Sequence, residues 1–271
     1  GDRPNEFVIS LVDSHYYVHQ GFVICGGQLV KVGTRQAVTP ADYEAAITER
    51  TAAVVFFLGS QPREQLPAII EIAHAQSVPV IVDAAAQLPP RSNLSELTAM
   101  GADLVVFSGG KGLCGPQSSG LVLGRADLVH ACHLNSNPHS AVGRGMKVGK
   151  EEIAGLLKAV ELFYEMDEAA VVDEWNRRCQ LIAEAVGDLG EIETTFTKAY
   201  ENKFPPASPL VHLHFGTGAA KTATQTRSEL EEGNPSILAS GGEDSLTIGP
   251  QTLEDGEAEL IAERLRQILA I

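Results

Sequence analysis

The sequence has no closely spaced cysteine pair, no long apolar run and little positive charge, and each absence removes a class of protein. Its four cysteines, Cys25, Cys114, Cys132 and Cys179, stand far apart. Zinc sites draw on clustered Cys and His, so no metal site is expected and the thiols read as free, reduced groups. No stretch approaches the roughly 20 apolar residues that cross a bilayer. The first residues, Gly1-Asp2-Arg3-Pro4-Asn5-Glu6, lack the apolar centre of a signal peptide. The expectation is a soluble cytoplasmic protein with no membrane partner. Lys and Arg total 20 against 35 Asp and Glu, a formal net charge of -15. Nucleic-acid binding needs clustered cations to neutralise phosphates, so no nucleic-acid partner is expected, although a local anion pocket stays compatible with that charge.

What is present is an ordinary globular composition, 44% hydrophobic and 20% charged over 271 residues, without repeats or low-complexity tracts. Apolar runs at Phe7–Val12, Gln28–Val32, Ala52–Leu58, Val78–Val82, Asp103–Phe107 and Gly120–Leu123 read as strands. Several are apolar throughout rather than alternating, which indicates a mostly parallel sheet covered on both faces. Thr39-Pro40-Ala41-Asp42 is a helix start, with Asp42 placed as a capping-box acid, and the helix is expected to reach Arg50. Over Arg63–Gln76, Leu66, Ile69, Ile70 and Ala73 fall on one helical face. From Lys147 onward Ile153, Leu156, Leu157, Val160, Phe163 and Tyr164 keep helical spacing in a long segment. A helix around Trp175–Val186, strands near Leu210–Phe215 and Leu246–Ile248, and a closing helix from Glu257 make a smaller α+β region. The expected division is a large domain over residues 1–168 and a small C-terminal domain over 169–271.

Two segments carry chemistry. In Val80-Ile81-Val82-Asp83 an acid follows directly on a buried strand, at the carboxyl end where open α/β sheets bind ligands. In Ser108-Gly109-Gly110-Lys111-Gly112 a lysine sits among glycines after another strand. The glycines suggest a backbone that lets something approach closely. A position near the sheet centre, with little water, would lower the lysine's pKa as a Schiff-base nucleophile requires. The nucleotide P-loop string is absent, because Gly112 follows Lys111 where that motif needs Ser or Thr. A lysine and an acid on strand ends of one sheet suit pyridoxal phosphate, which needs an amine for its aldehyde and a carboxylate for its ring nitrogen. Ser108 offers a hydroxyl, and its N–H, to the phosphate. Arg144, Lys147 and Lys150 form a local basic cluster in an acidic protein. It reads either as an anion site or as a surface cluster answering Glu151 and Glu152. His212 and His214 share one face of a strand but lack a third ligand, so they are read as a surface pair.

The segments VIVDAAAQLPP, GADLVVFSGGKGLCGPQSSGLVLGR and GRGMKVGKEEIAGLLKAVE resemble fold-type I pyridoxal-phosphate enzymes, and among them the relatives of L-seryl-tRNA(Sec) selenium transferase and D-glucosaminate-6-phosphate ammonia-lyase. The resemblance runs from about Phe7 to the C-terminus. It implies a large domain with a mostly parallel sheet and a small α+β domain. It implies Lys111 as the lysine that carries the cofactor, Asp83 as the partner of the ring nitrogen and Ser108 as a phosphate ligand. Gln117 is placed near the cofactor or a partner subunit, and Arg144 and Lys147 as residues for a substrate anion. His15, near the end of the first strand, is a further candidate for the substrate. Selenium transferases usually carry an acid just before the lysine, where this chain has Gly110.

The resulting expectation is a lyase that removes water and ammonia from a β-hydroxy amino acid, an amino sugar acid with or without a 6-phosphate. The alternatives are an aminoacyl transferase and a non-catalytic protein of the same fold. The resemblance implies a homodimer or higher homo-oligomer. A helix N-terminus that cradles the cofactor phosphate is expected upstream of Phe7, outside this sequence.

Overall fold

Alternation of buried strands with helices builds the first part of the chain. The computed structural model describes residues 4–12, 16–187, 189, 191–203 and 205–269, without the side chains of Tyr16 and Tyr17. The chain divides into two compact units at the Met166–Asp167 junction. The first unit holds strands β1 (Glu6–Ser10), β2 (Gln28–Val32), β3 (Thr51–Phe57), β4 (Val80–Asp83), β5 (Leu104–Ser108) and β6 (Gly120–Gly124). Its helices are α1 (Tyr16–Ile24), α2 (Pro40–Ala46), α3 (Leu66–Ala75), α4 (Asn93–Ala99), α5 (Ala126–Asn135) and α6 (Lys150–Glu165). The sheet order is β2-β1-β3-β4-β5-β6. The first five strands run parallel, and β6 returns antiparallel to β5. This is the architecture expected of a fold-type I enzyme.

Strand alternation assigns the two faces. Val8, Val54, Phe56, Val80, Val82, Val105 and Phe107 point into one core, closed by Tyr43 of α2, Leu66 and Ile69 of α3, Leu97 of α4 and Phe163 of α6. Ile9, Val55 and Phe57 point the other way and meet Val18 and Phe22 of α1. The central strand β3 is therefore almost wholly buried, whereas β6 alternates between exposed and half-buried. Among the described residues β6 pairs on one side only, and it is not apolar on both faces.

The buried face of α3 is Leu66, Ile69, Ile70 and Ala73, as the spacing predicts. It begins after a 3-10 turn at Arg63–Gln65, with a proline in its first turn. Asp42 accepts from both the N–H and the hydroxyl of Thr39 at 2.8 Å, so the acid caps the start of α2. That helix stops at Ala46 rather than Arg50. Thr51 Oγ1 accepts from Thr48 N–H at 2.9 Å and Thr48 Oγ1 from Arg50 N–H at 3.1 Å, which competes with helical bonding.

The second unit contains α7 (Glu168–Val186), β7 (Ile192–Thr197), β8 (Leu210–Phe215), α8 (Ala223–Glu231), β9 (Ser245–Ile248) and α9 (Glu257–Leu269). Its antiparallel sheet has the order β7-β8-β9. Ile182, Leu213, Leu230, Leu246 and Leu265 are fully buried in its core. No described helix is long and apolar enough to cross a membrane.

Candidate functional site

Parallel pairing of β4 with β5 sets Asp83 beside Val106, two residues before Ser108. Two crosslinks extend the register past the strands: Ala84 N–H donates to Val106 O at 2.9 Å, and Ser108 N–H donates to Ala85 O at 3.3 Å. The carboxylate of Asp83 and the hydroxyl of Ser108 thus stand at the carboxyl ends of neighbouring strands. Asp83 is half-buried, and its Oδ1 accepts from Ala85 N–H at 3.0 Å, which orients the carboxylate. The N–H of Ser108 belongs to the sheet and is not a phosphate donor, so only its hydroxyl remains for that role. That hydroxyl has no hydrogen-bond partner among the described residues.

Lys111 lies in the hairpin loop between β5 and β6, one strand from the sheet edge, and is exposed. The sequence predicts a lysine with little water around it; in this chain the lysine is exposed. The loop itself is tightly built. Gly109 N–H donates to Ser119 O at 2.9 Å, Gly115 N–H to Gly109 O at 2.7 Å, and Cys114 N–H to Lys111 O at 2.8 Å. Ser119, buried, closes the turn through its hydroxyl on Pro116 O at 2.6 Å. Ser119 was not singled out from the sequence, and only the small-residue pair Ser118-Ser119 before Gly120 hints at it.

The glycines serve this internal packing. A Cβ on Gly109 would stand 2.0 Å from Ser119 Oγ, one on Gly110 2.5 Å from Gln117 Oε1, and one on Gly112 2.1 Å from Leu88 O. What approaches the backbone closely is the chain itself: the 115–119 return and the loop that follows Asp83. Gln117 donates through Nε2 to Gly110 O at 3.2 Å, so it braces the lysine loop. Through Gly112 and Leu88 the lysine loop rests on the segment that carries Asp83, and the two chemical groups share one platform.

Arg144 and Lys147 lie in the exposed segment between α5 and α6. Neither makes an ion pair among the described residues. Lys150 answers Glu151 only at 3.8 Å, with both side chains largely exposed, so the basic cluster is not consumed by local acids. His15 lies outside the described residues. His212 spends both ring nitrogens on threonine hydroxyls, Nε2 on Thr197 at 2.8 Å and Nδ1 on Thr247 at 3.1 Å. Burial, with His214 beside it, lowers its pKa. No group of three or more metal-ligating side chains is present among the described residues.

Asp103 stands at the opposite end of β5, where the sequence pattern shows only a strand. Its carboxylate lies 2.8 Å from His74 Nε2, accepts from Val80 N–H at 2.7 Å, and pairs with Arg125 at 2.9 Å. Burial alone would raise its pKa, but the bonds from His74, Val80 and Arg125 outweigh that and hold it below the usual carboxylate range.

The mostly parallel six-stranded sheet with its antiparallel β6 is that of a fold-type I scaffold. Among solved structures, one of D-glucosaminate-6-phosphate ammonia-lyase superposes with a TM-score of 0.73 at 26% identity, covering 98% of this chain and 71% of that one. The L-seryl-tRNA selenium transferase family model matches residues 22–174, and the chain belongs to that family. A 5'-C-glycyluridine monooxygenase-decarboxylase from Streptomyces sp is 31% identical over 99% of this chain and 68% of its own. The D-glucosaminate-6-phosphate ammonia lyase of Salmonella typhimurium (strain 14028s / SGSC 2262) is 28% identical over 90% of this chain. The chain spans 64% of that lyase's length.

Proposed function

We propose that the chain forms the core of a pyridoxal-phosphate enzyme that eliminates water and ammonia from a 2-amino-3-hydroxy acid. The observation that carries this reading is the amine of Lys111, the carboxylate of Asp83 and the hydroxyl of Ser108 on one platform at two strand ends. In kind they fit the cofactor's aldehyde, ring nitrogen and phosphate. The relatives' names add the substrate class. D-glucosaminate, a glycyl group on the 5' carbon of uridine, and a seryl group each contain an amino group beside a hydroxylated carbon. An amino sugar acid, with or without a 6-phosphate, is the specific substrate we favour.

Lys111, Asp83, Ser108 and Gln117 would hold the cofactor, which when bound supplies an electron sink for the carbon bearing the amine. Asp83 would hold a proton on the ring nitrogen through a charge-assisted hydrogen bond. Ser108 would donate its hydroxyl to the phosphate, and Gln117 braces the loop. Lys111 Nζ takes the proton from the substrate's Cα. The C3–O bond then breaks, and the proton held on Lys111 Nζ passes to the departing hydroxyl, which leaves as water. The released enamine becomes an imine, and one water hydrolyses it to a 2-oxo acid and ammonia. Arg144 and Lys147 bind the substrate carboxylate or a second anion, since a guanidinium matches either group in bidentate fashion.

Borohydride reduction of the cofactor-loaded full-length protein should label Lys111. A screen of 2-amino-3-hydroxy acids should then release ammonia and a 2-oxo acid in equal amounts. Label on another lysine refutes the site. The 31% relative favours a second reading, oxidative decarboxylation of a similar substrate, which oxygen uptake and carbon dioxide release would distinguish. Turnover only with an aminoacylated tRNA would favour the transferase alternative.

A further inference from the structure

Asn93, the first residue of α4, carries an amide into the interior, where it is 1% exposed. Burying an amide is costly unless its donor and its acceptor are both used, so the partners show what it does. Its Oδ1 accepts from Arg63 Nη1 at 2.6 Å, and its Nδ2 donates to Gln87 O at 2.7 Å. Neither bond goes to the backbone of α4, so the side chain does not cap its own helix. Arg63 opens the turn that follows β3 and also pairs with Glu96 of α4 at 2.8 Å. Gln87 lies in the loop that follows Asp83. Asn93 therefore ties together the exits of the neighbouring strands β3 and β4.

The carbonyl that Asn93 holds is one step from the lysine loop. Gln87 N–H donates to Ala84 O at 2.9 Å, which closes residues 84–87 into a turn directly after Asp83. Leu88 and Leu113 are buried in the same core. A Cβ on Gly112 would stand 2.1 Å from Leu88 O and 2.7 Å from Leu88 C, so the two backbones already touch. Cys114 N–H returns to Lys111 O at 2.8 Å and completes the turn that carries the lysine. One amide can donate to a carbonyl and accept from a guanidinium at once, which neither a carboxylate nor an apolar side chain can do. We propose that Asn93 is a positioning residue for the site: it fixes the Gln87–Leu88 segment and, through Gly112, the placement of Lys111 relative to Asp83. Its effect on turnover rests on the reading of Lys111 as the cofactor's lysine; its effect on the loop does not.

Asn93→Asp separates the two bonds, because a carboxylate keeps the bond from Arg63 and has no donor for Gln87 O. The full chain should keep its wild-type circular dichroism, while the bonded amides of Gly109, Cys114 and Gly115 exchange hydrogen about tenfold faster. In the cofactor-loaded full-length protein kcat should fall about 10- to 100-fold with KM unchanged, since a small misplacement of a reacting group costs that much. Gly112→Ala presses on Leu88 O from the lysine loop and keeps Asn93, so this arm stands even where Asn93→Asp fails to fold. It should speed exchange at Gln87 as well as at Cys114. In the Asn93→Asp background its added effect should shrink, because the Leu88 carbonyl can then give way. Wild-type exchange at Gly109, Cys114 and Gly115 in Asn93→Asp overturns the proposal. So does a rise spread evenly over the chain, a Gly112→Ala effect that never reaches Gln87, or strict additivity of the two substitutions. The expected loop exchange together with borohydride label on another lysine supports the positioning and refutes the cofactor reading.

Discussion

Asp83 is held by its own backbone before any ligand arrives. A carboxylate oriented by Ala85 N–H and half-sheltered at a strand end presents a fixed negative charge, which suits a partner that must stay protonated. Asp83→Asn keeps the shape and removes the charge. We expect it to fold normally and to lose orders of magnitude in the rate of ammonia release, and near wild-type turnover would remove Asp83 from the chemistry. Arg144 differs in kind, being an exposed cation with no ion pair among the described residues. Its removal should leave thermal stability within about 0.5 kcal/mol, as for surface substitutions generally. If it reads the substrate anion, Arg144→Ala should raise KM about 10- to 100-fold, the loss of one charge-assisted hydrogen bond. An unchanged KM across anionic and neutral amino acids would leave Arg144 without that role.

At the scale of elements, Asp103 ties four pieces together: α3 through His74, the start of β4 through Val80, β5 on which it abuts, and the exit of β6 through Arg125. Its side chain is 4% exposed, so the bonds work with little competition from water. Its folded pKa lies below the unfolded value, so the stabilisation is present above the unfolded pKa of about 3.9 and is lost as pH falls through the folded one. Asp103→Asn should cost about 1–3 kcal/mol near neutral pH, the penalty for weakening buried charge-assisted bonds. The variant should also show a shallower loss of stability below about pH 4, measured by urea unfolding across a pH series. An acid limb as steep as that of the wild type would assign the acid sensitivity to other carboxylates.

At the scale of the molecule, the two units have separate cores, with no buried residue in common. Leu265 is fully buried in the second, which contains none of the residues proposed to hold the cofactor. Leu265→Ala should destabilise its own unit by about 2–5 kcal/mol through lost burial and the cavity left behind. Calorimetry should show a lowered transition for that unit, with borohydride labelling of Lys111 preserved at temperatures where it stays folded. Loss of labelling together with the second unit's transition would mean that the first unit does not hold the cofactor on its own.

Local periodicity carried much of this protein into view from sequence. The buried face of α3, the bounds of β8 and the start of α9 follow from apolar spacing alone, because each buries one defined side. Helix α5 escaped notice since it buries no residue, and a helix without a buried face leaves no periodic signal. Strand β7 escaped because an edge strand of Thr and Glu has no apolar run, and α8 because Ala223 and Thr226 supply most of its buried face. The site was legible as residue types, an acid and a glycine-flanked lysine at strand ends. Two things were decided only in three dimensions. The antiparallel return of β6 places Lys111 in a hairpin loop, where it is exposed in this chain, and the glycines turn out to fit Ser119, Gln117 and Leu88. Spacing along a chain reports which side of an element is buried, but strand direction and loop-to-loop contact depend on partners distant in sequence, and only the folded chain brings those together.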